Sequence, residues 1–220
     1  MEKRRIIFGT YDTAANGLWT LTSWKLSAAT RKSNWVEVPG RDGDIDVSTA
    51  IIDGVPRYQN RTLTAVLESS EGTRLERKAR IDTMVNWLDG WTMNIVLPDD
   101  PTHYVTGVIH VEELYNDPAH ASVEVTAECQ PWRFSAEETK VILQATEEQQ
   151  TAALLNQGRR TVVPLLEVTG GDVLLSFGAS SWALGVGTYA LPDLVVTQGE
   201  ASITYSGTGV LTFTYREAVL

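Results

Sequence analysis

The sequence predicts a mainly β protein in two parts, residues 1–135 carrying one helix and residues 136–220 almost entirely strand. Three observations lead there. Apolar and polar residues alternate with period two along much of the chain, the pattern of strands with one face buried. One segment near residues 73–89 instead repeats at helical spacing between a start and a stop signal. Between about Ser135 and Arg160 mixed aromatic and charged sequence gives way to short Val/Leu/Thr runs broken by many glycines, which places a boundary near residue 135. The 220 residues suffice for one large β domain or two small ones.

In chain order, strands are expected at 4–8 and 18–29, then from Arg61 to Leu67. There Leu63, Ala65 and Leu67 face away from Thr62, Thr64 and Val66. The helix follows. Thr73-Arg74-Leu75-Glu76 fits a capping box, the Thr73 hydroxyl accepting from the Glu76 backbone while the Glu76 carboxylate reaches back. Leu75, Ala79, Ile81, Met84, Val85 and Leu88 supply an apolar stripe, and Gly90 a stop. Laid across a sheet, this helix makes the first part α+β. Strands follow at 92–97 and 103–113, then at Ala121 to Cys129, where Val123, Val125, Ala127 and Cys129 share one face.

In the second part strands are expected at 139–145, 161–169, 172–177, 194–197 and 200–205. Leu211, Phe213 and Tyr215 alternate with threonines near the end. Glu147 to Gln150 reads as a polar loop and Asn156-Gln157-Gly158 as a turn. About 85 residues with this strand spacing suit a β-sandwich.

Bulk composition excludes several function classes. Hydrophobic residues make up 43% and charged residues 21%, values for a folded core and against overall disorder. Lys plus Arg number 18 against 28 Asp plus Glu, a net charge of −10. Phosphate neutralisation drives nucleic-acid affinity, so no specific nucleic-acid binding is expected. Cys129 is the single cysteine, so no disulfide can form within the chain. After the charged start Met1-Glu2-Lys3-Arg4-Arg5 only Ile6, Ile7 and Phe8 precede Gly9, too short for a secretory signal. No apolar run approaches the roughly 18 residues of a membrane span, so no membrane insertion is expected.

Motifs that could carry chemistry each have a plainer explanation. Asp42, Asp44 and Asp46, with Asp53 at the twelfth position, imitate a calcium loop, but Val47 stands where a turn-making glycine belongs and no helices flank it. Gly185-Val186-Gly187-Thr188-Tyr189-Ala190 matches a dinucleotide fingerprint in letters only; Leu191-Pro192-Asp193 follows where a helix should begin, so a β-turn is expected. His103, His110 and His120 match no common zinc spacing. Cys129, on the apolar face of a strand, reads as a buried inert thiol. No catalytic residue, metal or cofactor is expected. Arg74, Arg77, Lys78 and Arg80 cluster on the helix. They form either a solvated face or a patch that meets an acidic surface on a neighbour. Seven tryptophans, Trp19, Trp24, Trp35, Trp87, Trp91, Trp132 and Trp182, are available for core or interface.

Val38-Pro39-Gly40-Arg41-Asp42-Gly43-Asp44-Ile45-Asp46-Val47-Ser48, followed by Tyr58-Gln59-Asn60-Arg61, resembles the siphophage distal tail protein family. Members carry a similar turn between strands, then an aromatic residue and an arginine opening a long strand. The helix at 73–89, Cys129-Gln130-Pro131-Trp132-Arg133-Phe134, Asn156-Gln157-Gly158 with Pro164, and Tyr215-Arg216-Glu217-Ala218-Val219-Leu220 follow in the family's order. The resemblance implies a split-barrel-like N-terminal β domain with one α-helix, which forms the ring, and a C-terminal galectin-like β-sandwich. It implies a structural virion protein at the distal end of the tail, made in the bacterial host cytoplasm. There a hexameric ring of identical copies joins the tail tube protein to the tail-associated lysin or central fibre protein. That position also admits contact with the tape measure protein. The resemblance singles out Gly40, Arg41, Asp42 and Gly43 as a structural turn at a subunit contact. The second part is too short for the inserted receptor-binding modules of some relatives. The main alternative is a carbohydrate-binding β-sandwich module, which requires exposed Trp or Tyr beside polar donors; a hydrolase built on a carboxylate pair is the third.

Overall fold

A computed structural model of the chain describes residues 4–48 and 56–220. They are mainly β, as the period-two alternation predicts, and fall into two compact units that meet in sequence between Arg133 and Phe134.

The first unit contains, in order, β1 (Ile7–Phe8), β2 (Tyr11–Asp12), α1 (Thr13–Gly17), β3 (Thr20–Leu26), β4 (Trp35–Val36), β5 (Ile45–Asp46), β6 (Arg61–Ser69), α2 (Arg74–Leu88), β7 (Thr92–Leu97), β8 (Asp100–Asn116) and β9 (Ala121–Ser135). Its main sheet runs β2-β1-β7-β8-β9-β6-β3. β6 and β9 pair antiparallel from Arg61↔Cys129 to Ser69↔Ala121. This register puts Leu63, Ala65 and Leu67 on the same buried face as Val123, Val125 and Ala127. The expected strands at 4–8 and 18–29 are shorter, and the one at 103–113 longer, than the alternation suggests.

Helix α2 has the expected capping box: Thr73 Oγ1 accepts from the Glu76 backbone and the Glu76 carboxylate from the Thr73 N–H. Its buried stripe keeps Ile81, Met84 and Leu88 of the expected one, with Val85 packed against the same core, but leaves out Leu75 and Ala79. Arg77, Ile81, Met84 and Leu88 face the core, whereas Leu75 is 79% exposed and Ala79 is also exposed. The reason is Arg77. Arg77 is 1% exposed, and its guanidinium donates to the carbonyl of Gly72, just before the helix, and to those of Asp117 and Pro118 in the turn after β8. Satisfying those carbonyls rotates the helix so that Leu75 points outward. Ile81, Met84 and Leu88 then pack with Val105, Ile109 and Val111 of β8 in one apolar cluster, each worth about 1.5–3 kcal/mol by burial.

The second unit contains β10 (Thr139–Gln144), β11 (Gln150–Asn156), β12 (Leu165–Thr169), β13 (Val173–Phe177), β14 (Ser180–Leu184), β15 (Gly187–Ala190), β16 (Gly199–Gly207), β17 (Val210–Tyr215) and β18 (Ala218–Val219). Two four-stranded antiparallel sheets, β10-β17-β12-β15 and β11-β16-β13-β14, share a core that includes Leu154, Leu166, Leu175, Ile203 and Phe213. Several expectations fail here. Gln150 opens β11 and does not close a loop, because its register with Tyr205 supplies the ladder that a polar sequence alone does not announce. Gly187 to Ala190 is a strand on β12 and not a β-turn. Residues 194–197 make only a single bridge, Val162↔Val196.

Asn156-Gln157-Gly158 is more than a turn. Asn156 is fully buried, donating to the carbonyls of Arg160 and Val196 and accepting from the Gly158 N–H. A Cβ on Gly158 would stand 2.6 Å from the Ala218 nitrogen, so only glycine fits. Arg216 donates to the carbonyls of Ser135 and Ala136 and pairs with Glu138, fastening the end of this unit to its beginning.

Candidate assembly surfaces

The turn singled out by sequence lies at the tip of a hairpin. Among the described residues β4 and β5 pair only with each other, through Trp35↔Asp46 and Val36↔Ile45, and form a two-stranded sheet apart from the main one. Gly40 and Gly43 take φ of +79° and +72°, conformations that strain any other L-residue, so their placement shapes the tip. The Arg41 N–H donates to the Val38 carbonyl, and Arg41 and Asp42 are exposed. At the base, Arg31 pairs with Asp46 at 3.2 Å and Ser48 bonds both Asp46 and Asn34. The Ser48 hydroxyl and N–H, with Arg31, hold the Asp46 carboxyl below the usual range.

The hairpin's side chains are unusual for a protein surface. Trp35 is 56%, Val36 43% and Ile45 36% exposed. An isolated two-stranded hairpin is marginal in water, because it orders backbone without burying an apolar face.

The basic cluster on α2 is not a continuous patch. Arg77 is buried. Lys78 is held by Asp82 at 3.0 Å and Glu113 at 2.7 Å. Arg80 bonds the Ser69 hydroxyl and the Glu71 carbonyl. Arg74 is exposed at the helix start.

The three histidines do not converge. Each sits against its own aspartate: His103 on Asp100, His110 on Asp89 and His120 on Asp117. Asp89 caps the end of α2 and also accepts from the Val111 N–H, which with His110 lowers its pKa. Asp100 also holds Arg133. Among the described residues no group of three or more His, Cys, Asp or Glu is placed to hold a metal ion. Of the suspected calcium ligands, Asp46 is engaged with Arg31 and Ser48, and Asp53 lies outside the described residues. Cys129 is fully buried, and burial pushes its thiol up to about 11.

No protein-family model and no curated protein matches this sequence. Among solved structures, the chain is similar to the crystal structure of the Dit protein of phage SPP1, described as a paradigm of the hub adsorption apparatus in phages that infect Gram-positive bacteria. The TM-score is 0.68 over 96% of this chain and 98% of that one, at 12% sequence identity. The chain has the fold of that hub protein. The resemblance read from the hairpin turn, the capped helix and the final residues thus extends to the course of the backbone.

Sequence reasoning missed one surface of the first unit. Trp87 is 55% exposed on α2 beside a cleft of about 190 Å³ lined also by Thr10, Tyr11, Asn16 and Thr83. α1, whose Asn16 lines the cleft, is capped at its end by Leu18, which is 42% exposed and takes φ of +55°. A tryptophan at helical spacing is as easily core as surface, so only the position of the helix on its sheet could reveal this face.

Proposed function

We propose that this chain is a structural subunit of a phage virion, a hub ring at the distal end of a long tail. Six copies close the ring, which joins the tail tube protein to a tail-associated lysin or central fibre protein, with no catalytic role. The observation that carries this reading is the hairpin β4–β5, an arm that leaves Trp35, Val36 and Ile45 36–56% exposed. Such an arm is stable when a neighbour covers it, and a head-to-tail contact between identical copies closes into a ring when its rotation permits. The shared fold with the SPP1 hub protein supports the same reading, and Gly40, Arg41, Asp42 and Gly43 would then shape a subunit contact.

The sugar-binding alternative lacks its platform. The aromatic side chains of the sandwich, including Trp182, Tyr189, Tyr205 and Phe213, are buried or half-buried against its core, which leaves no broad exposed ring on which a sugar could stack. Native mass spectrometry and negative-stain microscopy of the full chain over a rising concentration series separate the readings. Closed rings and silence on a glycan array are expected. A chain monomeric at every concentration that binds glycans would replace the ring with a sugar-binding module.

A further inference from the structure

The first unit has another cleft, beyond the start of β6. The β6–β9 ladder keeps one register down to Arg61↔Cys129 and stops there. Pro131, two positions further along β9, carries no N–H for a ladder. On its other side the chain before β6 stays bonded. The Lys32 N–H donates to the Arg57 carbonyl and the Gln59 N–H to the Thr30 carbonyl, while Arg31 bridges Tyr58. Beside these stretches lies a cleft of about 450 Å³, whose walls include Lys32, Pro56, Arg57, Tyr58, Pro131 and Trp132. That volume falls within the roughly 300–1,000 Å³ of clefts that enclose a bound ligand.

The charge of this cleft is opposite to that of the chain. Among the described residues no Asp or Glu lines it, whereas Lys32 and Arg57 do; both are exposed and neither makes an ion pair. Asp46, which holds Ser48 at the cleft's margin, is itself paired with Arg31 at 3.2 Å. A chain of net charge −10 thus puts two uncompensated cations in one recess. The remaining wall is apolar. Tyr58 meets Trp132 edge to face with ring centroids 5.5 Å apart, and Pro56 and Pro131 flank them. Each ring holds the other in place, so the wall is formed before anything binds.

We infer that this cleft receives an acidic, extended segment of another polypeptide, with carboxylates on Lys32 and Arg57 and an apolar side chain against Tyr58 and Trp132. Charge complementarity selects the acid, since opposite charges steer the approach and fix the register of what binds. The ring wall selects a peptide over a bare anion, which would leave Tyr58 and Trp132 in water. Two cations in so acidic a chain release too few counterions to hold a nucleic acid. This rests on the virion reading above, in which the chain joins other proteins, and it names a surface that can hold one of them.

The test presents the full-length chain to a displayed library of random linear peptides and follows the strongest binder by fluorescence anisotropy. Enrichment of peptides with carboxylates beside an apolar residue is expected, and their binding should weaken as salt rises. Lys32→Glu and Arg57→Glu, both at exposed side chains, should each weaken the best peptide on the order of tenfold while the unfolding curve stays in place. Trp132→Ala should cost on the order of tenfold or more, the range of an aromatic hot spot. Trp132→Phe, which keeps a ring against Tyr58, should restore most of the binding. A library that yields no binder, binders without acidic enrichment, or binding indifferent to Lys32→Glu and Arg57→Glu overturns the cleft. So does a Lys32→Glu, Arg57→Glu double variant that no longer closes rings, since the cleft would then be a contact between copies. Closed rings without acidic-peptide selection overturn the cleft alone and leave the virion reading standing. Acidic-peptide binding by a chain that stays monomeric at every concentration does the reverse.

Discussion

Arg77 organises more of the first unit than any neighbouring apolar residue on its helix. Its guanidinium closes three backbone carbonyls that have no strand partner, two of them about forty positions further along the chain. Arg77→Met keeps much of the volume but leaves those carbonyls unpaired and buried, so a loss of about 3 kcal/mol is expected in denaturant unfolding. Arg77→Lys should not restore it, since one ammonium cannot reproduce the guanidinium fork. Sequence shows only a run of basic residues here; the partners that bury one of them lie in a distant turn, beyond the reach of any local pattern. Cys129 was legible, because a cysteine on the apolar face of an alternating strand has nowhere polar to go. Its thiol is expected to resist maleimide in the native chain and to react after unfolding. The sign of the pH effect follows. Burial holds the thiol neutral to about 11 in the folded chain against an ordinary 9.0. The unfolded chain therefore ionises first, and stability should fall as pH rises through that interval.

At the scale of elements, α2 distinguishes what period alone can say from what packing decides. The helix, its capping box and its stop were all readable, but the stripe that meets the sheet is turned from the one the apolar residues suggest. Met84→Ala should cost about 2–5 kcal/mol, the range for emptying a core position. Leu75→Ala, on a side chain 79% exposed, should change stability by less than about 0.5 kcal/mol. Equal losses would show that the helix sits as its apolar residues suggest and not as Arg77 sets it. The strands follow the same logic. β6 and β9 were visible because one face is buried and the other wet, so each letter reports its side. β14 (Ser-Ser-Trp-Ala-Leu) and β15 (Gly-Thr-Tyr-Ala) were not, since serine, glycine and alanine carry little sign of which way they face. β8 hides a constraint of the same kind. A Cβ on Gly107 would lie 2.8 Å from the Cys129 sulfur and 2.9 Å from the Glu128 carbonyl, so Gly107→Ala should weaken the β8–β9 pairing and lower the thermal midpoint.

For the whole molecule, a backbone course shared with the SPP1 hub protein at 12% identity means that few side chains are common to both. In this chain that course rests on a set of local decisions: an alternating strand, a capped helix, a glycine turn, an arginine fastening one end of the sandwich to the other. The sequence carries those decisions, which is why the fold class could be read, while the exposed tryptophan of α2 and the strained Leu18 emerge only once the elements have been placed. Net charge belongs to this scale too. In the ring proposed above, chains each carrying −10 would set up a field that opposes a phosphate backbone, which would suit a passage for DNA that must slide and not stick. Binding to duplex DNA gains its free energy by releasing counterions from phosphates matched to Lys and Arg, so its strength rises as salt falls. For this chain no gel shift is expected even at about 50 mM salt, where such binding is strongest. Retention that disappears steeply with added salt would mean that the 18 basic residues gather on one surface, against the sense of the total, and the passage would then grip DNA where it was expected to repel it.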